Sequence, residues 1–222
     1  MRKKVIIGSA IPVVLIIGAA VAFAVFQPIQ VLPRIRLAPG YLLVNQDGET
    51  VSSEDVRGDI VLYDFTYSGC GDECAAMNDT MAAIQSRLDE IDAGDTDIRF
   101  MTVSFDPEHD TPGVLRDYAA TLGANTAQWQ FVTGDPIHVT NVVKSGFEVY
   151  YQPQPDGTYT FAPVFVLVDG WGVIRGEYRY QTNASDADKI VHHMDILGEE
   201  VRNAHGAAAL AYEAAHFFLC YP

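Results

Sequence analysis

Hydrophobic and polar positions change period several times along the 222-residue chain, and each change marks an element. Residues 5–26 form an uncharged apolar run of 22, long enough to cross a bilayer as a helix. Residues 27–40 carry Pro28, Pro33 and Pro39, which predicts an extended tether lifting the rest of the chain off the membrane. Short runs at 41–44 and 49–51 flank Gln46-Asp47-Gly48 and read as a hairpin. The continuous apolar run at 60–66 predicts a buried strand, and the pattern then switches to helical spacing over 74–91, with Met77, Met81, Ile84, Leu88 and Ile91 on one stripe. A second central strand is predicted at 98–104. Thr111 and Pro112 then open a helix to residue 122 as N-cap and first helical residue. A short strand at 129–132 precedes a helix from Pro136 to residue 145. Strands at 147–152 and 159–161 flank the Asp156-Gly157 turn, and strands at 164–169 and 173–180 flank Gly170-Trp171-Gly172. Ser185 caps a long terminal helix whose stripe continues through Val201, His205, Ala208, Tyr212, His216 and Cys220. The order β-β-β-α-β-α-β-α-β-β-α predicts an α/β fold: a central mixed sheet covered by helices on both faces.

Charge and targeting signals place this domain. Net charge is −15. The first four residues carry three of the 14 basic groups, which leaves 11 against 29 acids, a balance of −18, in the remainder. That balance argues against nucleic acid and anionic lipid as partners; a cationic partner surface, a saline habitat or plain solubility each accounts for it, solubility being the ordinary cause. Met1-Arg2-Lys3-Lys4 before the apolar run keeps the N-terminus cytoplasmic and sends the rest outside. Ala22-Phe23-Ala24 is compatible with signal-peptidase cleavage, but the run is long for a signal core, and an uncleaved single-pass anchor in the cell membrane is the expectation. Four segments follow: an anchor at 1–26, a tether at 27–40, one domain at 41–198 and a helical extension at 199–222. The domain then works where disulfides persist.

The chemistry concentrates in Asp64-Phe65-Thr66-Tyr67-Ser68-Gly69-Cys70-Gly71-Asp72-Glu73-Cys74. Two thiols at a strand-to-helix junction make a redox or soft-metal site, and the helix N-terminus favours a thiolate, most of all at Cys70. Asp72 and Glu73 oppose a second anion and favour a bound cation. At i and i+4 the cysteines are separated by about 6 Å of helical rise, within reach of a disulfide when Cys70 lies just before the helix. A dithiol at the first β-to-α switch is what a thioredoxin-like fold provides.

With these residues in place, the chain resembles the SCO/SenC proteins over about residues 44–197. These are membrane-anchored, thioredoxin-like factors for cytochrome oxidase assembly. The resemblance rests on Cys70 and Cys74, on Val103-Ser104-Phe105-Asp106-Pro107-Glu108-His109-Asp110-Thr111-Pro112, on Phe131-Val132-Thr133-Gly134 and on Val149-Tyr150-Tyr151-Gln152-Pro153. It implies copper bound through two Cys thiolates and one His, delivery to the dinuclear copper site of oxidase subunit two, and thiol–disulfide chemistry on that site's cysteines. Counting back from Leu167, Asp169 and Gly172 sets the family's His position at Phe161, which binds no metal. Two thiolates alone suit Cu(I), whereas Cu(II) wants an imidazole as well. Pro163 resembles the cis-proline that faces the dithiol in thioredoxin-like oxidoreductases, so a cis Ala162-Pro163 bond is expected. Asp64, six residues before Cys70, has the spacing of the buried acid in thioredoxins, where a raised pKa makes a base toward Cys74.

Other candidates come from the histidines. His109 is expected on the same sheet edge as Cys70 and is the candidate third metal ligand. His138, His192 and His193 read as surface residues. His205, Tyr212 and His216 fall nearly on one line of the terminal helix, with His216 one turn from Cys220, a spacing open to metal or redox chemistry as well as to packing. Met77 and Met81 read as core. Two function classes follow: a copper-binding assembly factor for oxidase subunit two, or a general extracytoplasmic thiol–disulfide oxidoreductase without copper that acts on another extracytoplasmic thiol protein. In the second, Cys70 attacks, Cys74 resolves, Asp64 manages the proton and Pro163 shapes the groove. No peroxide-binding signature supports a peroxide-reducing enzyme.

Overall fold

The computed structural model describes residues 29–179 and 186–218, without the side chains of residues 72, 73, 207, 217 and 218. The apolar run at 5–26, Ser185 and Cys220 lie outside the described residues. Among the described residues, ten strands are β1 Arg36–Leu37, β2 Leu42–Asn45, β3 Thr50–Ser52, β4 Ile60–Thr66, β5 Ile98–Ser104, β6 Trp129–Thr133, β7 Tyr151–Pro153, β8 Tyr159–Phe161, β9 Val164–Val168 and β10 Val173–Arg179. The α-helices are α1 Asp72–Gln85, α2 Pro112–Thr121, α3 Pro136–Thr140, α4 Ala187–Arg202 and α5 Ala207–Phe218. Eight strands form one sheet in the order β1-β10-β9-β4-β5-β6-β2-β3, and β7 and β8 form a separate hairpin.

The sheet is mixed, as the element order predicts. β4 pairs parallel with β5, and β5 parallel with β6. β9 runs antiparallel to β4, in register from Val61↔Val168 to Asp64↔Phe165. β4 is apolar at most positions because both of its faces are covered. Ile60 and Leu62 pack with Met77, Met81 and Ile84 of α1 and with Ile190, Met194 and Leu197 of α4. Val61, Tyr63 and Phe65 pack on the opposite face with Val139, Val143 and Phe147. Alternation along the strand therefore puts Asp64 and Thr66 on the α1 side.

Three expectations change. First, the tether does not hold the domain at a distance. Val31 and Leu32 are fully buried, the Leu32 N–H donates to Glu200 Oε1 at 2.6 Å, and the Ile35 N–H donates to the Ile174 carbonyl at 2.9 Å. The apolar side chains between the prolines hold this segment to the sheet edge. Second, the strand expected at 147–152 shrinks to β7. A π-helical turn, Asn141–Gly146, extends α3, and Phe147 and Val149 donate back to Val142 and Val143. Glu148 then takes the left-handed conformation, φ 59°, so the backbone is irregular until Tyr151. Third, the terminal helix is two helices. Asn203 ends α4 and Gly206, at φ 73°, turns the chain into α5. His205 is exposed in this break, so the line joining His205, Tyr212 and His216 does not form. Asp186 is the N-cap of α4, its side chain accepting from the Asp188 N–H at 3.0 Å.

Candidate redox site

The carboxyl end of β4 turns through Tyr67, Ser68 and Gly69 into Cys70, and Gly71 is the N-cap of α1. Cys74 falls in the first turn of α1. The two cysteines are joined by a disulfide with a Cα–Cα distance of 5.8 Å. The sulfurs differ in access: Cys70 is half-buried against the aromatic layer, while Cys74 is 0% exposed. An incoming thiol therefore meets Cys70 first. Thr66 Oγ1 donates to Cys74 Sγ at 2.8 Å, which ties the inner sulfur to the strand.

The Asp-Pro-Glu-His-Asp-Thr-Pro segment after β5 buttresses the turn. Asp110 is fully buried and accepts from the Ser68 N–H at 2.9 Å, from the Ser68 hydroxyl and from the Ser104 hydroxyl at 2.5 Å. Asp106 accepts from the Tyr159 hydroxyl at 3.0 Å and bonds His109 Nδ1 at 2.9 Å. This bond holds the His109 pKa above its ordinary value. The His109 side chain is 75% exposed and engaged with Asp106. Among the described residues no group of three His, Cys, Asp or Glu side chains is placed to hold a metal, and His109 Nδ1 is engaged by Asp106.

Phe161 belongs to an aromatic wall. Its ring centroid lies 5.3 Å from Phe105 and 6.5 Å from Tyr67, and Tyr159 packs on the same two rings. Cys70 packs against the same apolar cluster as this wall. The Ala162-Pro163 bond is trans, since the described residues contain no cis peptide. The Ala162 N–H donates to the Tyr150 carbonyl at 2.9 Å, which holds the approach to Pro163 in an extended path. Continuing the β4–β9 register by two residues sets Pro163 level with Thr66, where its missing N–H ends the ladder beside the disulfide.

Asp64 is completely buried on the same face as Thr66. Trp129 Nε1 donates to Thr102 Oγ1 at 2.7 Å, and Thr102 Oγ1 donates to Asp64 Oδ1 at 2.6 Å. Asp64 Oδ2 has no hydrogen-bond partner. Burial, only partly offset by Thr102, raises the carboxyl pKa to about 7. Asp64 is thus a group that gains and loses a proton near neutrality.

Several contributors were not singled out from sequence: Thr66, Asp110, and the pair Asn78 and Tyr118, joined by a 2.6 Å bond from Asn78 Nδ2 to the Tyr118 hydroxyl. Asn78 lies one turn after Cys74 on α1, a signal that i, i+4 spacing carries. Asp110 belongs to the Asp-Pro-Glu-His-Asp-Thr-Pro run, but its buttressing role depends on a contact 42 residues away. His193 is buried rather than on the surface, bonded to the Tyr178 hydroxyl at 2.8 Å, because α4 packs flat on the sheet. His216 of α5 lies 3.3 Å from Glu200 of α4.

The strand-end disulfide and the buried Asp64 of the same strand fall within a family pattern along the chain. The SCO1/SenC family model matches residues 31–195. The chain belongs to the SCO1/SenC family. It is 37% identical over 90 residues to the SCO1 protein homolog of Bacillus subtilis, covering 40% of this chain and 45% of that one. The chain thus matches less than half the length of that curated relative. Among solved structures, BsSco superposes with a TM-score of 0.64 and 27% identity, over 75% of this chain and 96% of that one. BsSco is described as carrying a disulfide switch and as a member of the Sco family of cytochrome c oxidase assembly proteins. Copper-bound ScoI of Arabidopsis thaliana superposes with a TM-score of 0.62 at 22% identity, over 75% of this chain and 98% of that one, a likeness of fold. The thioredoxin-like mixed sheet of the SCO proteins is therefore the fold of this SCO1/SenC chain.

Proposed function

We propose that this SCO1/SenC protein supports cytochrome c oxidase maturation by thiol–disulfide exchange through Cys70 and Cys74, from the outer side of a membrane in which residues 5–26 anchor it. The observation that carries this reading is the asymmetric disulfide: Cys70 reachable and Cys74 buried against Thr66, with the buried Asp64 two residues before Thr66 on the same face of β4. In the reduced protein, the Cys70 thiolate attacks a disulfide on the partner and forms a mixed disulfide, displacing one partner thiolate. Asp64, its carboxyl pKa raised to about 7 by burial, takes the Cys74 proton. The Cys74 thiolate then attacks Cys70 Sγ, closing the Cys70–Cys74 bond and releasing the second partner thiolate. Two electrons pass from the dithiol to the partner. Pro163 and the aromatic wall form the surface against which the partner chain lies. The partner is the copper-site segment of oxidase subunit two or another extracytoplasmic thiol protein. Trapping tests this: Cys74→Ser should accumulate a stable mixed disulfide with a cysteine peptide on Cys70. Free turnover by Cys74→Ser without a trapped adduct would overturn the assignment of Cys74 as resolving thiol.

A second role, Cu(I) binding, is favoured by the donor chemistry of the same pair. Two thiolates suit a soft, low-coordinate ion, and Cys70 and Cys74 would hold it; Phe161 leaves no imidazole for Cu(II). Bound copper would supply the metal cargo for the oxidase. Titration of the reduced chain with Cu(I) against a chelator should show one ion, lost in Cys70→Ser and unchanged in His109→Ala. Retention by Cys70→Ser would remove the dithiol from the copper role.

A further inference from the structure

The end of the sheet opposite the disulfide carries a different surface. Of the large apolar residues exposed among those described, Leu37, Trp171 and Ile35 are 72%, 59% and 47% exposed on β1 and the β9–β10 turn. They lie together: the Ala38 N–H donates to the Gly172 carbonyl at 2.8 Å, and Leu37 pairs with Val173. Trp171 also lines one cavity with Ala209, Tyr212 and Glu213 of α5, and Leu210 on the outer side of α5 is 79% exposed. Two arginines stand near this turn, each paired with a glutamate: Arg57 Nη1 donates to the Trp171 carbonyl at 2.5 Å and Arg57 pairs with Glu54 at 3.1 Å, and Arg34, which lines the same cavity as Trp171, pairs with Glu213 of α5 at 2.7 Å. Exposed tryptophan beside arginine and aliphatic side chains is the composition of a membrane–water interface.

The point at which the chain enters the domain gives this surface its occupant. Ile29 and Val31 pack directly on Tyr212, Ala215 and Ala208 of α5. Only Gln27 and Pro28 separate Ile29 from the apolar run at 5–26. Three residue steps reach about 10 Å at full extension, little more than the headgroup layer is deep. No spacer holds the domain off, because residues 31–37 are fastened to the sheet edge.

We propose that the sheet edge bearing Ile35, Leu37 and Trp171, together with α5, rests on the headgroup layer of the bilayer that residues 5–26 span. The proposal rests on the anchor described above. Seven residues of β4 separate this edge from the disulfide junction, about 20 Å at 3.3 Å per residue. Cys70 is then presented away from the membrane, at the height of a partner domain standing on the same surface.

Trp171 reports directly, since Trp129, the other tryptophan, is 0% exposed in the core. The full chain is reconstituted into phosphatidylcholine vesicles, and flotation is scored first. In floating protein, a headgroup-attached nitroxide lipid should quench Trp171 emission roughly twofold and aqueous iodide should quench it little, as expected for an interfacial indole. Trp171→Phe should remove the quenched component. Leu37→Glu combined with Leu210→Glu should float equally and lose the lipid quenching. Floating protein whose Trp171 is quenched freely by iodide and not by the lipid nitroxide would overturn the proposed orientation while leaving the anchor intact. Failure to float would overturn the anchor, and the orientation with it.

Discussion

Asp64 shows how one buried side chain sets the pH behaviour of the site. Its carboxyl holds its proton up to about pH 7 in the folded chain, against an ordinary value of 3.8. Between these pH values the unfolded chain has released this proton and the native chain has not. Stability contributed at this position is therefore greatest below about pH 4, declines through the window and levels off above pH 7. Asp64→Asn removes the dependence. Relative to wild type, the variant should gain on the order of 4 kcal/mol between pH 4 and pH 8, read from urea denaturation at both values. The same variant should slow resolution of the mixed disulfide near neutrality by about 10²-fold, the usual contribution of a positioned base. The spacing of Asp64 before Cys70 was legible in the sequence. Its unpartnered Oδ2 and its link through Thr102 to Trp129 were not, because they join three strands.

Among the elements, the segment entering the domain and the extension leaving it are held by one charge cluster. Arg175 of β10 is 1% exposed; it pairs with Asp169 at 3.0 Å and Glu200 at 2.6 Å and donates to the carbonyls of Leu32 at 2.7 Å and Pro33 at 3.0 Å. Glu200 also accepts from the Leu32 N–H, and His216 of α5 lies 3.3 Å from it. β10, α4, α5 and the entering chain therefore meet at one guanidinium. Arg175→Leu leaves two buried carboxylates without their cation and should cost about 3–5 kcal/mol in urea denaturation. His216 thereby joins this cluster through Glu200. A heptad-like stripe cannot show that Gly206 breaks the helix before His216 is reached, so sequence periodicity alone overextended the element.

Across the whole molecule, the dominant long-range property is charge. A net charge of −15, with Asp72 and Glu73 next to the disulfide in sequence, should make small cationic disulfides better partners than anionic ones. Second-order exchange with cystamine should exceed that with an anionic dicarboxylate disulfide by about tenfold at low salt. The ratio should approach one at 1 M salt, where the screening length is about 3 Å. Equal rates at low salt would show that the local field at Cys70 is neutral. What the sequence determined by itself was local and periodic: apolar runs that must be buried, the order of strands and helices, and a dithiol at a strand end, each set by neighbours within a few residues. Tertiary structure decided the rest. The trans Ala162-Pro163 bond, the aromatic wall around Phe161, the capture of His109 by Asp106 within a fold-built loop and the docking of residues 29–40 all depend on contacts between distant segments. Such contacts arise only when the sheet assembles, and a linear pattern carries no record of them.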